Sequence, residues 1–294
     1  MFFIRKTNHK MKSIQLLTIV LVMTINSAAQ SLPDGMTIKK DIIYKSVNGW
    51  DGKMDVYYPS VSSKIKPLVI YIHGGGWLHG RKEDEYPKIE VLVQQGYVVA
   101  NVEYRLAQVA PAPAAVEDVR CAFCYLLKNA QKFKIDVRNV FMMGASAGGH
   151  LALMAGLLGN NNIFDAGCSM PEFRIAGIID KYGPADLLHW GPIMKLNKPS
   201  STWIANRTTD TLYINSVSPI NYVNVESPAV LIIHGDNDHT VPITQSEMLF
   251  KKLKDCHVDA EFFIVKGGKH GNFSTSDIAV MNRRMITFIE KHLK

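Results

Sequence analysis

The chain has 294 residues, of which 47% are hydrophobic and 20% are charged, and its formal net charge is +7. These values are typical of a globular protein with a large buried core, and they exclude an intrinsically disordered chain. Its four cysteines are too few and too irregularly spaced for a disulfide framework or a four-thiolate zinc site.

The first thirty residues have the order of segments found in a secretory signal peptide. Four basic residues precede the apolar residues 14–25, and the small residues Ser27, Ala28 and Ala29 follow. We therefore predict that residues 1–29 are a signal peptide cleaved after Ala29. An uncleaved membrane anchor is disfavoured, because this apolar stretch is shorter than the roughly 18 to 20 residues that span a bilayer.

The leader carries most of the excess positive charge. Residues 1–29 contain four bases and no acids, so 33 − 4 = 29 bases remain against 26 acids, a net charge of +3. No run of Lys and Arg in residues 30–294 is typical of nucleic-acid binding, and we expect no nucleic-acid partner. We predict a secreted or periplasmic protein without stable membrane insertion after cleavage. Translation is expected to start at Met1 or at Met11.

Predicted strands and helices alternate along residues 30–294, after an opening antiparallel hairpin over residues 41–44 and 53–58. This alternation predicts an α/β fold, a mostly parallel sheet with helices on both faces. No repeat or linker is visible, so we predict a single domain. The further predicted strands are residues 68–73, 97–104, 140–144, 175–182, 229–235 and 260–265, and the predicted helices are residues 86–95, 114–130, 150–158, 243–254 and 277–293.

The pattern fails over about residues 184–227, where Trp190, Trp203, Tyr213 and Tyr222 lie among Pro, Asn and Ser. An insertion of this length often forms a lid or a pocket wall over a site. A pair of surface helices is the alternative, and periodicity does not separate the two. Aromatic residues here could stack on a sugar or phenolic ring.

The predicted strand at residues 140–144 runs into Gly144-Ala-Ser146-Ala-Gly148, just before a predicted helix. A sharp turn from strand to helix exposes such a serine and aims the backbone N–H of Ala147 at the atom that the serine attacks. Gly144 and Gly148 lack Cβ atoms, so strand and helix can approach closely. The pentapeptide also recurs by chance, so alone it leaves catalytic and structural interpretations open.

A glycine loop, His73-Gly-Gly-Gly-Trp77, follows the predicted strand at residues 68–73. Consecutive glycines allow bare backbone N–H groups to face a ligand oxygen, and acyl transfer needs such donors where the oxyanion forms. A flexible turn is the alternative, which the nearby serine motif disfavours. This type of loop supplies half of the oxyanion hole in lipases and esterases.

A serine nucleophile needs a base, and the base needs an acid that orients it. Asp236 and Asp238 follow the predicted strand at residues 229–235, and His270 lies between glycines after residues 260–265. The order serine, acid, histidine is the order of an α/β-hydrolase. Spacing alone does not separate the two aspartates.

Three further histidines are expected to serve other purposes. His234 closes an apolar strand and is expected to be packed and hydrogen-bonded, and His150 is expected to be structural. His239 adjoins the acid loop and could line a pocket. None of the three is preferred as the base.

Taken together, these motifs resemble those of single-domain α/β-hydrolase esterases. The resemblance covers roughly residues 40–294 and is strongest to the bifunctional feruloyl and acetyl xylan esterase type, with kinship to hormone-sensitive-lipase-like carboxylesterases. It implies an α/β-hydrolase fold with Ser146 as nucleophile and His270 as base. The family's Gly-x-x-Asp-x-x-Val-Pro motif falls on Asp238 and selects it, rather than Asp236, as the catalytic acid.

The resemblance also implies an oxyanion hole made by backbone N–H groups of Gly75, Gly76 and Ala147, with the donating pair left open. Glu103-Tyr-Arg-Leu resembles the Asp-Tyr-Arg-Leu motif of these esterases, with Glu in place of Asp. We interpret it, together with Glu117 and Asp118, as scaffold.

The cysteines are interpreted separately. Cys121 and Cys124 share a face of one predicted helix and are expected to be buried thiols. Cys168 and Cys256 could form a disulfide after export.

The expected function is that of a secreted serine carboxylic-ester hydrolase. Resemblance and export together imply removal of acetyl or feruloyl groups from a xylan-like plant polysaccharide through an acyl-enzyme, with no metal or organic cofactor. Two alternatives remain: a prolyl-oligopeptidase-like peptidase, although such enzymes usually carry a large upstream domain, and a non-catalytic binding protein, although such proteins typically lack a triad member. Acyl group, glycan and oligomeric state stay open.

Overall fold

The computed structural model describes residues 1–2, 32–60, 64–190 and 198–294. The fold lies in the unit Leu32–Lys294. The predicted signal peptide lies, apart from its first two residues, outside the described part. Within the described ranges, no helix combines the length and apolarity needed to cross a bilayer.

The strands of the described part form one eight-stranded sheet in the order β1-β2-β4-β3-β5-β6-β7-β8. β2 is antiparallel to both of its neighbours, and the pairs from β4 through β8 are parallel. The predicted opening hairpin and mostly parallel sheet are therefore confirmed. The strands are β1 (Met36–Val47), β2 (Trp50–Pro59), β3 (Lys66–Ile72), β4 (Val98–Val102), β5 (Ile135–Ala145), β6 (Ile175–Lys181), β7 (Ala229–Gly235) and β8 (Ala260–Val265).

Helices cover both faces of the sheet, as the alternation predicts. Successive side chains of a strand point to opposite faces, so neighbouring strand residues join different cores. Ile70 packs in the core that contains Phe123 and Leu151. Val69 packs in the one that contains Phe288. The helices are α1 (Tyr86–Gln94), α2 (Ala114–Lys128), α3 (Ala130–Phe133), α4 (Ala147–Leu157), α5 (Lys198–Trp203), α6 (Thr211–Ser216), α7 (Thr244–Asp255) and α8 (Thr275–His292), with short 3₁₀ turns at Lys82–Asp84 and Pro219–Tyr222.

Local sequence explains where several of these elements begin. Apart from His150, α4 consists of small and apolar residues, and it is buried all round, which allows it to lie between the sheet and α2. α8 begins after Ser274, whose hydroxyl accepts a hydrogen bond from the Asp277 N–H at 3.1 Å. β5 begins at Ile135, earlier than predicted, because Ile135 and Asp136 pair with β3 although this stretch has polar residues.

The thiol pairing considered from the sequence is wrong. The sulfur of Cys168 lies 2.6 Å from that of Cys121 on α2, while the sulfur of Cys256 lies 3.9 Å from the carbonyl oxygen of Val223. The loop after α4 folds back on α2, and this places Cys168 beside Cys121. All four cysteines are free thiols.

Candidate active site

Ser146 occupies the turn between β5 and α4, at the edge of the sheet where the parallel strands end. Its backbone has φ 56° and ψ −123°, a conformation uncommon for a residue with a side chain. The Ser146 N–H donates to the Lys181 carbonyl at 2.8 Å, and its carbonyl accepts from the His150 N–H at 3.0 Å. These two bonds hold the strained turn between β6 and α4.

Two glycines make this turn sterically possible. A Cβ on Gly144 would lie 2.1 Å from the carbonyl oxygen of Gly148, and a Cβ on Gly148 would lie 2.1 Å from the carbonyl oxygen of Ile72. Backbone atoms cannot yield by this amount without moving an element. The Gly-x-Ser-x-Gly spacing therefore follows from the close approach of β3, β5 and α4.

Three predicted side chains from separate loops meet in one hydrogen-bonded chain. His270 Nε2 lies 2.8 Å from Ser146 Oγ, and His270 Nδ1 lies 2.7 Å from Asp238 Oδ2. The loops follow β5, β7 and β8, which end at the same edge of the sheet. This is the arrangement in which an imidazole can take a serine proton while a carboxylate orients it.

The Asp238 carboxylate is held on both oxygens. Oδ1 accepts backbone N–H groups of Thr240 at 2.8 Å and Val241 at 3.0 Å. Burial acts to raise the pKa of Asp238. The hydrogen bonds that this carboxylate forms with His234, His270 and the Val241 N–H outweigh burial and hold its pKa well below the ordinary value. Asp238 is thus ionised and able to stabilise a cationic imidazole.

Asp236, the alternative catalytic acid that spacing left open, is not part of the hydrogen bonds that join Asp238, His270 and Ser146. It is exposed, accepts the Gly267 N–H at 2.6 Å and pairs with Lys266 at 3.2 Å. These contacts join the loops after β7 and β8. The structure therefore connects Asp238, and not Asp236, to His270.

His234 supports the site from outside it, by holding the loop of Asp238. Buried His234 contacts Ser246 Oγ through Nδ1 at 2.7 Å and the Val241 carbonyl through Nε2 at 2.8 Å, which fixes the loop of Asp238. Its Nε2 also lies 3.2 Å from Asp238 Oδ2. His239 is exposed, and the cavity is lined instead by its neighbours Thr240 and Val241.

His150 ties the nucleophile helix to the insertion. Its Nε2 lies 2.8 Å from the carbonyl oxygen of Val217, and burial lowers the pKa of His150 to about 4, so the imidazole is neutral at physiological pH. Its ring meets Trp77 and Trp203 edge to face, and these two indoles stack at 4.7 Å. The packing links α4, the glycine loop and the insertion.

The glycine loop turns back beside Ser146. Gly75 and Gly76 have φ of 111° and 60°, and a Cβ on Gly75 would lie 2.1 Å from the His79 carbonyl oxygen. Both glycines line the same cavity as Ser146 and Ala147. The three predicted oxyanion donors are thereby brought to the nucleophile.

The Glu103-Tyr-Arg motif holds the base of this loop. Tyr104 stacks on His73 at 4.3 Å between ring centroids and donates its hydroxyl proton to the His73 carbonyl at 3.1 Å. Arg105 pairs with buried Asp118 at 2.8 Å and with Glu117 at 3.1 Å. These contacts fit the scaffold interpretation.

The cavity above Ser146 has a volume of about 560 Å³. Sequence reasoning missed part of its wall: Glu85, Lys88 and Tyr182, and it singled out Trp190 only as one aromatic residue of the insertion. The Lys88 ammonium donates to Glu85 at 2.8 Å, and the Tyr71 hydroxyl donates to the same carboxylate at 2.6 Å. Their position at the start of α1, the helix that follows the glycine loop, is the signal that could have found Glu85 and Lys88.

Comparison with known proteins gives a family model described as BD-FAE, which matches residues 54–253. Esterase LipQ of Mycobacterium tuberculosis is 25% identical over 224 residues, which cover 75% of this chain and 53% of LipQ. Esterase LipC of the same organism is 29% identical over 203 residues, covering 65% of this chain and 49% of LipC. The chain thus spans about half the length of the curated relatives it matches.

Solved structures share the fold. A truncated form of a carbohydrate esterase from gut microbiota superposes with a TM-score of 0.74 at 26% identity, covering 86% of this chain and 96% of that one. A bifunctional GH43-CE protein of Bacteroides eggerthii has a TM-score of 0.75 at 26% identity, covering 87% of this chain and 38% of that one. An acetyl ester-xyloside bifunctional hydrolase from Caldicellulosiruptor lactoaceticus, with a TM-score of 0.73, 21% identity and coverage of 88% and 99%, shows the fold alone.

Proposed function

The chain belongs to the BD-FAE family of esterase domains, and from this premise we propose that it is a secreted serine esterase that removes acetyl or feruloyl groups from a xylan-like polysaccharide. The observation that carries the proposal is the chain of hydrogen bonds from Asp238 through His270 to Ser146, at the wall of a cavity. The proposed mechanism assigns no step to a metal or an organic cofactor.

The proposed reaction uses these groups in turn. Ser146 Oγ attacks the ester carbonyl carbon while His270 Nε2 takes the hydroxyl proton, and the N–H groups of the glycine loop and Ala147 stabilise the oxyanion. The alcohol leaves with the proton from His270, and the acyl group stays on Ser146. Water then attacks the acyl-enzyme with His270 as base, which releases the acid and restores the serine.

The cavity wall supports a hydroxyl-bearing substrate over a long hydrocarbon chain. Lys88, which is bonded to buried Glu85, places a half-exposed ammonium on the wall, and covering this charge with hydrocarbon is costly because it loses its hydration. Tyr182 and Trp190 offer aromatic surface nearby, which suits a sugar or phenolic ring. One of the similar structures, at 26% identity, is described as a carbohydrate esterase, which supports a glycan ester.

The test is turnover by the purified protein and by Ser146→Ala. We expect hydrolysis of p-nitrophenyl acetate, methyl ferulate or acetylated xylan, and a fall in kcat of about 10⁴-fold or more in the variant, since the nucleophile is removed. Tributyrin tests the substrate class, and a preference for it over acetylated xylan would contradict the glycan assignment.

Two outcomes would replace the proposal. Cleavage of a proline-containing dipeptide amide without ester turnover would identify a peptidase. No turnover of any substrate by the wild type would indicate a binding protein on this scaffold.

A further inference from the structure

Two cysteines from distant parts of the chain lie side by side away from the catalytic cavity. Cys121 is buried on α2, and half-buried Cys168 lies in the loop between α4 and β6. Their sulfur atoms are 2.6 Å apart. Both are free thiols, and the mechanism proposed above uses neither.

The loop that carries Cys168 is fixed to α2 by independent contacts. Arg120, fully buried, donates to the Asp165 carboxylate at 2.7 Å and to the carbonyl oxygens of Ala155 at 3.1 Å and Gly159 at 3.0 Å. The Cys168 N–H donates to the Asp165 carbonyl at 2.7 Å. A buried ion pair adjacent to Cys121 therefore sets the position of Cys168.

A neighbouring thiol makes a separate contact with the same loop. Cys124 lies one turn along α2, and its sulfur is 3.3 Å from the carbonyl oxygen of Ser169. Both sulfur atoms contact a backbone carbonyl oxygen, that of Asp165 at 3.8 Å for Cys121, but of the two it is Cys121 that also contacts the Cys168 thiol. This difference makes Cys124 a matched control.

We propose that Cys121 and Cys168 form a disulfide when the chain is in an oxidising compartment. The bridge would join residues 47 positions apart, and the enclosed segment contains β5, Ser146 and α4. A cross-link of this span stabilises chiefly by restricting the unfolded chain. The proposal is independent of the esterase activity.

The oxidation needs an external disulfide, such as glutathione disulfide or the active-site disulfide of an oxidoreductase. Cys168 borders a surface cleft of about 290 Å³, whereas Cys121 is enclosed. The Cys168 thiolate attacks the external disulfide and releases one thiol, and Cys121 then displaces the second thiol as it loses its proton. Two protein thiols are oxidised and one external disulfide is reduced to two thiols.

Burial and the neighbouring Cys168 raise the pKa of the Cys121 thiol, so Cys121 is the poorer first nucleophile. This agrees with the order given by access, in which Cys168 reacts first and Cys121 completes the bridge.

Differential alkylation of the full chain tests the proposal. After incubation with glutathione disulfide, free thiols are blocked with iodoacetamide in denaturant, and the protein is then reduced and labelled with N-ethylmaleimide. We expect the second label on Cys121 and Cys168 and the first on Cys124 and Cys256. Trypsin without reduction should yield residues 121–128 linked to residues 139–174.

Thermal unfolding gives a second readout. A reductant should lower the Tm of the oxidised wild type and of Cys124→Ser and Cys256→Ser by about 5–10 °C, but leave the Tm of Cys168→Ser unchanged. Four iodoacetamide-blocked thiols, or a bridge from Cys168 to Cys124 or Cys256, would overturn the proposal. Activity on p-nitrophenyl acetate, measured alongside, separates this outcome from that of the esterase proposal.

Discussion

Asp238 and Asp236 stand two residues apart after the same strand, yet their surroundings differ in every respect that matters to an acid in a triad. Asp238 is 7% exposed and bonded to His270, while Asp236 is paired with Lys266 at the surface. Burial with complete hydrogen bonding makes the first a fixed carboxylate. The second has only contacts that solvent can replace.

We therefore expect Asp238→Asn to lower kcat/KM about 10³ to 10⁴-fold, because an amide can no longer stabilise the cationic imidazole or fix its tautomer. Asp236→Asn should change it less than about threefold. Steady-state kinetics on p-nitrophenyl acetate would measure both. An equal loss in the two variants, or a larger one at Asp236, would refute the assignment of the acid.

A second carboxyl group, that of Asp180 in β6, is buried, and only one of its two oxygen atoms has a hydrogen-bond partner among the described residues. Oδ1 accepts the Gly183 N–H at 3.0 Å, and Oδ2 has no hydrogen-bond partner among the described residues. Burial raises the pKa of Asp180 from 3.8 to about 8, although the Gly183 bond opposes this. The folded state therefore holds this proton more tightly than the unfolded chain does.

Because the folded pKa is the higher one, the stabilisation by the protonated form is complete below pH 3.8 and is lost as the pH rises through about 8. We expect the Tm of the wild type to fall relative to that of Asp180→Asn, which cannot ionise, as the pH rises from about 5 to 8. Scanning calorimetry across this range measures it. Parallel pH curves for the two proteins would show that Asp180 does not titrate in this way.

Among the elements, the turn from β5 to α4 combines the tightest packing with the nucleophile. We expect Gly144→Ala to cost more than about 3 kcal/mol and to abolish activity, because its Cβ would meet the Gly148 carbonyl oxygen at 2.1 Å. Soluble yield, Tm and esterase activity measure this.

Gly267→Ala is the control, since Gly267 has φ +69° with open space around its Cβ position. It should cost only about 1 kcal/mol, the backbone penalty for a left-handed alanine. If Gly144→Ala lowered the stability as little as Gly267→Ala, the turn would be shown to tolerate a side chain.

From periodicity, the insertion between β6 and β7 could be either a pocket wall or a pair of surface helices. It contains the short helices α5 and α6, and its residues Pro184 and Trp190 also line the cavity. The Ala112 N–H donates to the Trp203 carbonyl at 2.7 Å, which anchors the insertion near the start of α2. The insertion therefore contains two helices and also supplies part of the cavity wall.

For the whole molecule, the charge distribution and the leader lead to one expectation about location. We propose that export removes residues 1–29 and leaves a domain of net charge +3 that begins at Gln30. Expression of the full chain in a bacterium, with intact-mass measurement of the exported protein, should find this start. A cytoplasmic product that retains the leader would contradict the proposal.

Much of the architecture could be predicted because it depends on local patterns. The apolar runs of β3, β6, β7 and β8 and the spacing of α2 and α8 identify strands and helices, since burial on one or both faces leaves a period in the chain. The positions of Ser146 and His270 after strand ends pointed to one edge of the sheet.

Contacts between distant segments were decided only by the tertiary structure. The neighbour of Cys168, the bond between Asp238 and His270, and the charged wall of Glu85 and Lys88 depend on how loops pack against one another. No local period records such packing, because it is a property of side chains brought together from separate segments. The sequence therefore determined the order of elements and the types of reacting groups, and the fold decided which of those groups meet.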